Sequence, residues 1–172
     1  MNYIGSKKSL LSFLDESINA VVGKVAESFC DIFAGTGAVG TYFKRRGYQI
    51  IANDIQYYAY VLNRHYIGNH KLLPFDGLVD ELPLSNMAIE NRSAAVCSFL
   101  ERLEGTSGFI YKNYALGGSV GTEFERMYFS DENAKKCDAV RMKIDEWKSG
   151  GKITDDEYFF LLATLLEAID KT

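Results

Sequence analysis

The sequence has 172 residues, of which 47% are hydrophobic, 24% are charged and 13% are aromatic. This composition is typical of a globular protein with one core and excludes a collagen-like or low-complexity chain. Nineteen basic residues stand against 23 acidic ones, which gives a net charge of −4. A molecule-wide positive field for phosphates is therefore excluded, whereas a local basic patch is not.

Neither the cysteines nor the histidines show the spacing of a metal site. Cys30, Cys97 and Cys137 are odd in number and form no CxxC pair, which indicates reduced thiols in a cytoplasmic protein. His65 and His70 lack a carboxylate or cysteine partner at ligand spacing, so we expect no metal site. Because no 18-residue apolar run exists, we also expect no membrane span and no signal peptide.

The first part of the chain predicts alternating helices and strands. Apolar residues at helical spacing, or in short buried runs that end at glycine or at Asn-Asp, mark these elements. The predicted helices cover 7–22, 38–46 and 56–65, and the predicted strands cover 28–33 and 48–52. This order predicts a right-handed βαβ unit at the start of an α/β sheet.

The remainder of the chain predicts a mostly helical half. The predicted elements are an irregular segment 71–84, a helix 87–103, a strand with loops within 105–129, and helices 131–147 and 154–169. Thr154 and Glu157 have the spacing of a capping box. With only two clear strands, the predicted sheet is too small to be a complete doubly wound sheet.

The segment from Asp31 to Gly40, Asp-Ile-Phe-Ala-Gly-Thr-Gly-Ala-Val-Gly, carries the chemistry of the predicted βαβ unit. Its glycines allow a sharp strand-to-helix turn that a ligand can approach closely. Asp54 ends the next strand, where a carboxylate suits the hydroxyls of a ribose. The pattern favours a nucleoside-containing cofactor over a purely structural glycine turn.

Asp31 favours one cofactor over another. A carboxylate four residues before the first glycine would repel a pyrophosphate, which prefers a neutral turn. S-adenosylmethionine has no phosphate and carries a sulfonium and an ammonium group, so it is preferred to NAD. A small NAD-binding oxidoreductase remains an alternative, although no hydride-transfer site is recognisable.

Three motifs resemble those of one enzyme family. They are Tyr3-Ile-Gly5-Ser6-Lys7, Asp31-x-Phe33-x-Gly35-x-Gly37 and Asn53-Asp54-Ile-Gln. This set resembles the Dam-like (D12 class) DNA adenine-N6 methyltransferases, and the stretch 113–141 is similar to a subset of them. The resemblance implies an incomplete Rossmann-like, S-adenosylmethionine-dependent methyltransferase fold. It also implies double-stranded DNA as the partner and a restriction–modification or genome-methylation role.

The resemblance also implies the cofactor-binding residues. These are Tyr3, Gly5, Ser6, Lys7, Asp31, Phe33, Gly35, Gly37 and Asp54. Gly5, Ser6 and Lys7 would surround the methionine moiety, and Asp54 would hold the ribose. The alternatives are a solvated Lys7 in a first helical turn and a helix N-cap role for Asp54. Residues 1–84 would form the cofactor-binding part, and residues 85–172 a helical and loop region with part of the target-recognition region.

Two stretches are candidates for DNA contact. The glycine-rich loop 113–129 carries Tyr114, Arg126 and Tyr128, and the following helix carries Lys135 and Lys136. Arginine and aromatic side chains on such a loop can follow a nucleic-acid backbone and reach base edges. An ordinary surface loop and a solvated helix face remain the alternatives.

The catalytic motif of the family is absent from the sequence. Adenine-N6 methylation needs an (Asp/Asn)-Pro-Pro-aromatic tetrapeptide, whereas Pro74 and Pro83 are the only prolines. We therefore assign no catalytic residue and expect a truncated or split methyltransferase that is inactive alone. A second polypeptide carrying the Pro-Pro motif could complete it. The alternative is a non-catalytic DNA- or partner-binding subunit of a modification system.

Overall fold

The protein is described by a computed structural model that covers residues 7–22 and 26–170. It consists of two compact units, Met1–His70 and Lys71–Thr172. The architecture is mixed α/β, mostly helical, with a two-stranded parallel sheet in the described residues. The α/β class and the helical second half agree with the sequence prediction, and a functional division at residue 84 stays a prediction.

The first unit contains the predicted βαβ order. A 3₁₀ turn (Lys7–Leu10) leads into α1 (Leu11–Val22), and β1 (Ser28–Asp31), α2 (Ala38–Lys44), β2 (Gln49–Ala52) and α3 (Tyr57–Asn63) follow. A π-helical turn, Arg64–Gly68, continues α3. The strands are parallel, with Ser28 opposite Gln49 and Asp31 opposite Ala52.

β1 ends two residues earlier than the sequence predicts. Ile32 and Phe33 lie in the turn after the strand, where the backbone N–H of Phe33 donates to Asp31 Oδ1 at 3.2 Å. A short side-chain acceptor that binds an amide two residues later favours a turn over continued pairing. The carboxylate that ends the strand is thus also the first candidate site residue.

The core of the first unit lies between the sheet and α2, and α3 adds buried residues to it. Phe43 of α2 is buried and stacks on Phe29 of β1, with ring centroids 4.3 Å apart. Val61 and Leu62 of α3 are also buried. Because this stacking joins β1 to α2, it fixes both ends of the turn that connects them.

The second unit is helical. Its α-helices are α4 (Ile89–Glu101), α5 (Phe109–Tyr114), α6 (Leu116–Ser119), α7 (Asp131–Ser149) and α8 (Asp155–Ile169), and a 3₁₀ turn covers Asp76–Leu78. The core centres on Trp147 and Ile144 of α7, Val96 of α4 and Leu161 of α8. Residues of the irregular segment 71–84 pack into the same core. None of the described helices is long and apolar enough to cross a membrane.

The strand predicted within 105–129 is wrong. The structure has two short helices there, α5 and α6, and an isolated bridge between Ala115 and Phe129. Carboxylates of α7 explain the difference, because Asp138 accepts hydrogen bonds from amides at the start of α5 and Asp131 accepts one from Gly117. These acceptors replace the partners that a strand ladder would supply.

The predicted capping box is confirmed. The amide of Glu157 donates to Thr154 Oγ1 at 3.3 Å, and the amide of Thr154 donates to Glu157 Oε2 at 2.8 Å. Glu157 is buried, and its other oxygen accepts a hydrogen bond from the amide of Phe75. The box therefore also fastens the segment 71–84 to α8.

Candidate functional site

A tight glycine turn connects β1 to α2. Gly35 and Gly37 have φ values of 52° and 77°, in the left-handed region that favours glycine. The amide of Gly37 donates to the carbonyl of Ala34 at 2.9 Å, and Gly37 precedes the first residue of α2. A Cβ on Gly37 would lie 2.8 Å from Asn63 Oδ1, so both the backbone and the surroundings require glycine.

Asp31 is a buried carboxylate, and only one of its two oxygens accepts a hydrogen bond from the described residues. Its side chain is 9% exposed, and Oδ1 receives the amide of Phe33 and lies 3.5 Å from the Lys7 ammonium. Oδ2 is buried and meets no hydrogen-bond donor from residues 7–22 and 26–170. Because an unsatisfied buried carboxylate oxygen is costly, this position fits a ligand that brings a cationic donor.

Lys7 is tied to the same strand end. Its ammonium donates to the carbonyl of Phe33 at 2.7 Å and forms the 3.5 Å ion pair with Asp31. Lys7 begins the 3₁₀ turn and its side chain is 40% exposed, so it is partly solvated and also held at the strand end. The side chain of Phe33 itself is 74% exposed beside this pair.

Asp54 closes the turn from the end of β2. Oδ2 accepts from the amide of Gly35 at 2.8 Å, and Oδ1 accepts from the amide of Gln56 at 2.9 Å. These backbone amides, first Gln56 and then Gly35, lower the pKa of Asp54, and the charge of Lys7 adds a smaller effect. The N-cap of α3 is Gln56, so Asp54 binds the turn before the helix and does not cap it. Each oxygen keeps a lone pair for another donor.

The structure thus brings together, in one unit, five of the residues predicted to bind a cofactor: Lys7, Asp31, Gly35, Gly37 and Asp54. Tyr3, Gly5 and Ser6 lie outside the described residues, and the exposed Phe33 lies next to the ion pair. Whether these residues bind a cofactor stays a prediction. Their geometry offers carboxylate acceptors beside the glycine turn. The amides of Gly35 and Gly37 already donate hydrogen bonds within the protein, to Asp54 and to the carbonyl of Ala34.

Asn63 is a site residue that the sequence analysis missed. It ends α3, is 9% exposed, and donates through Nδ2 to the carbonyls of Gly35 at 3.0 Å and Ala59 at 2.7 Å. Its sequence signal is a polar residue next to the buried pair Val61 and Leu62. The same signal is typical of an asparagine whose amide is satisfied within the core. The sequence does not reveal the contact with the turn, because its partner Gly35 lies 28 residues away.

In the second unit, Tyr114, Arg126 and Tyr128 lie close together, and we call them the Tyr114 cluster. The Arg126 guanidinium lies 5.5 Å from the centre of the Tyr114 ring, and the Tyr114 and Tyr128 rings are 6.1 Å apart. The amide of Tyr128 donates to the carbonyl of Tyr114 at 3.0 Å. The Tyr128 side chain is 75% exposed. The three residues predicted for the loop therefore form one accessible aromatic and cationic group.

The two lysines predicted to contact DNA differ in their surroundings. The Lys135 ammonium lies 4.4 Å from the centre of the Tyr111 ring. Lys136 donates to the carbonyls of Glu101, at 3.0 Å, and Leu103, at the end of α4. Such an interaction is typical of a cation at a helix C-terminus, so Lys136 has a structural role whether or not it also meets a phosphate.

Asp138 on α7 positions the helix that carries Tyr114. The carboxylate is fully buried on α7 and accepts from the amides of Gly108, Ile110 and Tyr111 at 3.0, 2.9 and 2.8 Å. A Cβ on Gly108 would lie 2.6 Å from the Cγ of Asp138, so the close approach of the backbone to this carboxylate requires glycine. Because α5 starts on this carboxylate and ends at Tyr114, the position of Tyr114 depends on Asp138.

The described residues contain no group of three His, Cys, Asp or Glu side chains arranged to hold a metal ion. The three cysteines are free thiols, and burial raises the pKa of Cys97 and of Cys137. Neither thiol is therefore activated at neutral pH by its surroundings. The polar side chains placed at the glycine turn and its strand ends are therefore Lys7, Asp31, Asp54 and Asn63.

Comparison with known proteins identifies the family. Residues 3–172 match the family model of D12 class N6 adenine-specific DNA methyltransferases. The type II methyltransferase M.NlaIII of Neisseria lactamica is 46% identical over 99% of this chain and 46% of its own length. The modification methylase LlaI of Lactococcus lactis subsp. lactis is 34% identical over 99% of this chain and 25% of its own length. The type II methyltransferase M.CviAII of Paramecium bursaria Chlorella virus 1 is 28% identical over 99% of this chain and 45% of its length.

The first unit is thus a parallel βαβ unit whose glycine turn lies between Asp31, at the end of β1, and Asp54, which follows β2 and binds the Gly35 amide. The chain belongs to the D12 class N6 adenine-specific DNA methyltransferase family, as its motifs predict. It spans about half the length, or less, of the curated relatives it matches. No solved structure matches it significantly.

Proposed function

We propose that this chain is the S-adenosylmethionine-binding and DNA-contacting part of a site-specific DNA adenine-N6 methyltransferase acting in the cytoplasm. The observation that carries the proposal is the buried Asp31 carboxylate at the end of β1, one oxygen of which meets no hydrogen-bond donor from residues 7–22 and 26–170. The sheet would be the beginning of a Rossmann-like methyltransferase sheet. Its relatives are named as methyltransferases and modification methylases.

The described residues fit S-adenosylmethionine better than a pyrophosphate cofactor. Asp31 can accept a hydrogen bond from an ammonium group, and Asp54 keeps lone pairs for hydroxyl donors. A pyrophosphate needs free amide donors at the start of a helix. Here the Gly35 amide binds Asp54 and the Gly37 amide binds Ala34.

The Tyr114 cluster supports the DNA part of the proposal. Its arginine can bind a phosphate or a guanine edge, and an exposed tyrosine can stack on a base. Asp138 and Asp131, through the amides that they bind, hold the two short helices that carry the cluster. The positions of Lys135 and Lys136 make them secondary contacts in this proposal.

The reaction proposed is transfer of the methyl group from the sulfonium to adenine N6, which leaves S-adenosylhomocysteine and releases a proton. An (Asp/Asn)-Pro-Pro-aromatic loop would hold the flipped adenine. The two prolines of this sequence are nine positions apart, so that loop must come from residues outside these 172. We therefore propose that these residues bind cofactor and DNA, and that methyl transfer needs the Pro-Pro residues, in the same or a second polypeptide.

Ligand binding tests the cofactor assignment directly. Titration calorimetry with S-adenosylhomocysteine should show one site, and saturation at 100 times the dissociation constant should stabilise the fold by about 2.7 kcal/mol. NAD at the same concentration should give no shift. Asp31→Asn should bind more weakly than the unchanged protein. Stabilisation by NAD alone would overturn the proposal in favour of a dinucleotide-binding oxidoreductase.

Complementation tests the proposed division of the reaction. The 172 residues should not methylate duplex DNA by themselves. Addition of a polypeptide carrying the second half of a related methyltransferase, with its Pro-Pro motif, should restore transfer. Methylation by the 172 residues alone would contradict this part of the proposal, and the cofactor assignment would survive it.

A further inference from the structure

Gly35 is held on both of its polar groups by side chains from other elements. Its N–H donates to Asp54 at the end of β2, and its carbonyl accepts from Asn63 at the end of α3. The two distances are 2.8 and 3.0 Å. A glycine with φ of 52° has wide backbone freedom when unbound, so these bonds select its conformation.

The orientation of the Asn63 amide follows from its partners. The two hydrogen-bond partners of Nδ2 are carbonyl oxygens, from Gly35 and Ala59, and only the NH₂ group of the amide can donate to both. Oδ1 is therefore directed elsewhere. It is buried without a hydrogen-bond donor among the described residues, and it faces Gly37 at 2.8 Å from where a Cβ would be.

The same side chain thus acts on both glycines of the turn. It holds the carbonyl of Gly35 and fills the space that a side chain at Gly37 would need. Its bond to Ala59 lies within α3, which is packed in the core through Val61 and Leu62. A rigid helix therefore supports a turn of high intrinsic freedom.

We propose that Asn63 is a positioning residue for cofactor binding, which fixes the Gly35–Gly37 turn in its binding-competent form without touching the ligand. The inference rests on the proposed function, because the ligand at this turn is S-adenosylmethionine. Preorganisation of this kind raises affinity by removing the ordering cost from the binding step. The asparagine lies outside the three family-like motifs of the sequence analysis.

Asn63→Ser separates the two hydrogen bonds of the side chain. A serine hydroxyl can still donate to the carbonyl four residues earlier in a helix, Ala59, but it is too short to reach Gly35. We expect Asn63→Ser to bind S-adenosylhomocysteine about tenfold more weakly, since one hydrogen bond corresponds to about that factor. The amide NMR signals of Gly35 and Gly37 should shift or broaden without ligand. Asn63→Leu, which loses both bonds, should have at least as large an effect.

Val61→Ala is the matched control for general loosening of α3. It removes buried methyl groups two residues before Asn63 on the same helix, at a position that is 2% exposed, and leaves both bonds of Asn63 in place. Its melting temperature should fall, while its affinity for S-adenosylhomocysteine and its glycine signals should stay close to those of the unchanged protein.

The outcomes separate the positioning role of Asn63 from the proposed cofactor binding. Equal affinity of Asn63→Ser and the unchanged protein would overturn the positioning role and leave the cofactor assignment intact. Equal weakening by Val61→Ala would also overturn it, since α3 stability would then explain the effect. Failure of the unchanged protein to bind S-adenosylhomocysteine would overturn the proposed function and this role with it. The glycine signals would then report only whether Asn63 holds the turn.

Discussion

Asp54 and Gly35, 19 residues apart, are joined by a 2.8 Å hydrogen bond from the glycine amide to Asp54 Oδ2. This bond connects the end of β2 to the turn that follows β1. The same carboxylate binds the amide of Gln56 at 2.9 Å, so one side chain fixes two turns of the sheet edge. A residue expected to contact a ribose is therefore also a structural element of its own site.

Asp54→Ala should weaken both the turn and the cofactor site. Removing the carboxylate leaves the amides of Gly35 and Gln56 without their acceptor, which costs about 1 kcal/mol of unfolding free energy for a partly exposed pair. The free energy of S-adenosylhomocysteine binding should fall by more than this if Asp54 also holds the ribose, as proposed. Urea unfolding and calorimetry measure the two effects. Unchanged affinity would remove Asp54 from the cofactor site.

Acid should remove the contribution of Asp54 to stability. Its pKa is lowered in the folded protein by backbone amides, first Gln56 and then Gly35, so the folded state binds protons less readily than the unfolded chain. The stabilisation is complete above the ordinary value of 3.8 and is lost as the pH falls toward the lowered one. The stability difference between the unchanged protein and Asp54→Asn should be constant from about pH 5 to 8 and shrink below about pH 4. A difference that grows in acid would contradict this.

Asp138→Ala should disrupt the second unit locally. Three backbone amides at the start of α5 would lose one fully buried acceptor, at an expected cost of about 2 to 4 kcal/mol. Asp138→Asn keeps one acceptor oxygen and should cost less. Urea unfolding measures both variants, and hydrogen exchange should show the amides of Ile110 and Tyr111 opening first. Asp145→Ala, on the same helix, is the control: it removes only the side-chain contacts of Asp145 with Arg141, at 3.5 Å, and Tyr158, at 3.3 Å, and should cost less than Asp138→Ala.

These contacts show what the sequence could and could not predict. The βαβ order followed from local patterns, because short apolar runs and the glycines that end them lie within a few residues of each other. The burial predicted for the two strands is wrong, since only Asp31 of β1 is buried and β2 alternates between exposed and half-buried residues. The two short helices near Tyr114 did not, because their amides bind carboxylates of α7 that lie far along the chain. Asp138 binds the start of α5 from about 30 residues away, and Asp131 binds Gly117 of α6 from 14 residues away. Asp31 and Asp54 were found through their strand-end positions, whereas Asn63 depends on a contact that only the folded chain creates.

A pair of glycine substitutions separates backbone strain from steric contact. Gly37 and Gly47 both have positive φ, 77° and 90°, so alanine is strained at either position. A Cβ at Gly47 meets nothing within 4 Å, whereas one at Gly37 meets Asn63 Oδ1 at 2.8 Å. Gly37→Ala should therefore destabilise the protein more than Gly47→Ala. Asn63→Ser should recover part of the excess in the double variant, and a strictly additive double variant would show that no clash exists.

Arg126→Ala tests the Tyr114 cluster as a DNA-binding surface. If the arginine meets a phosphate, its removal should weaken binding to duplexes of different sequence by a similar factor and reduce the slope of log affinity against log salt by about one. If it reads a base, the loss should be about 1 to 3 kcal/mol and specific to one sequence. Fluorescence anisotropy over a series of salt concentrations distinguishes the two. Arg102→Ala, at an exposed position after α4, is the control. Equal effects of the two substitutions would show that the cluster is an ordinary surface loop, because net charge alone would then explain the loss.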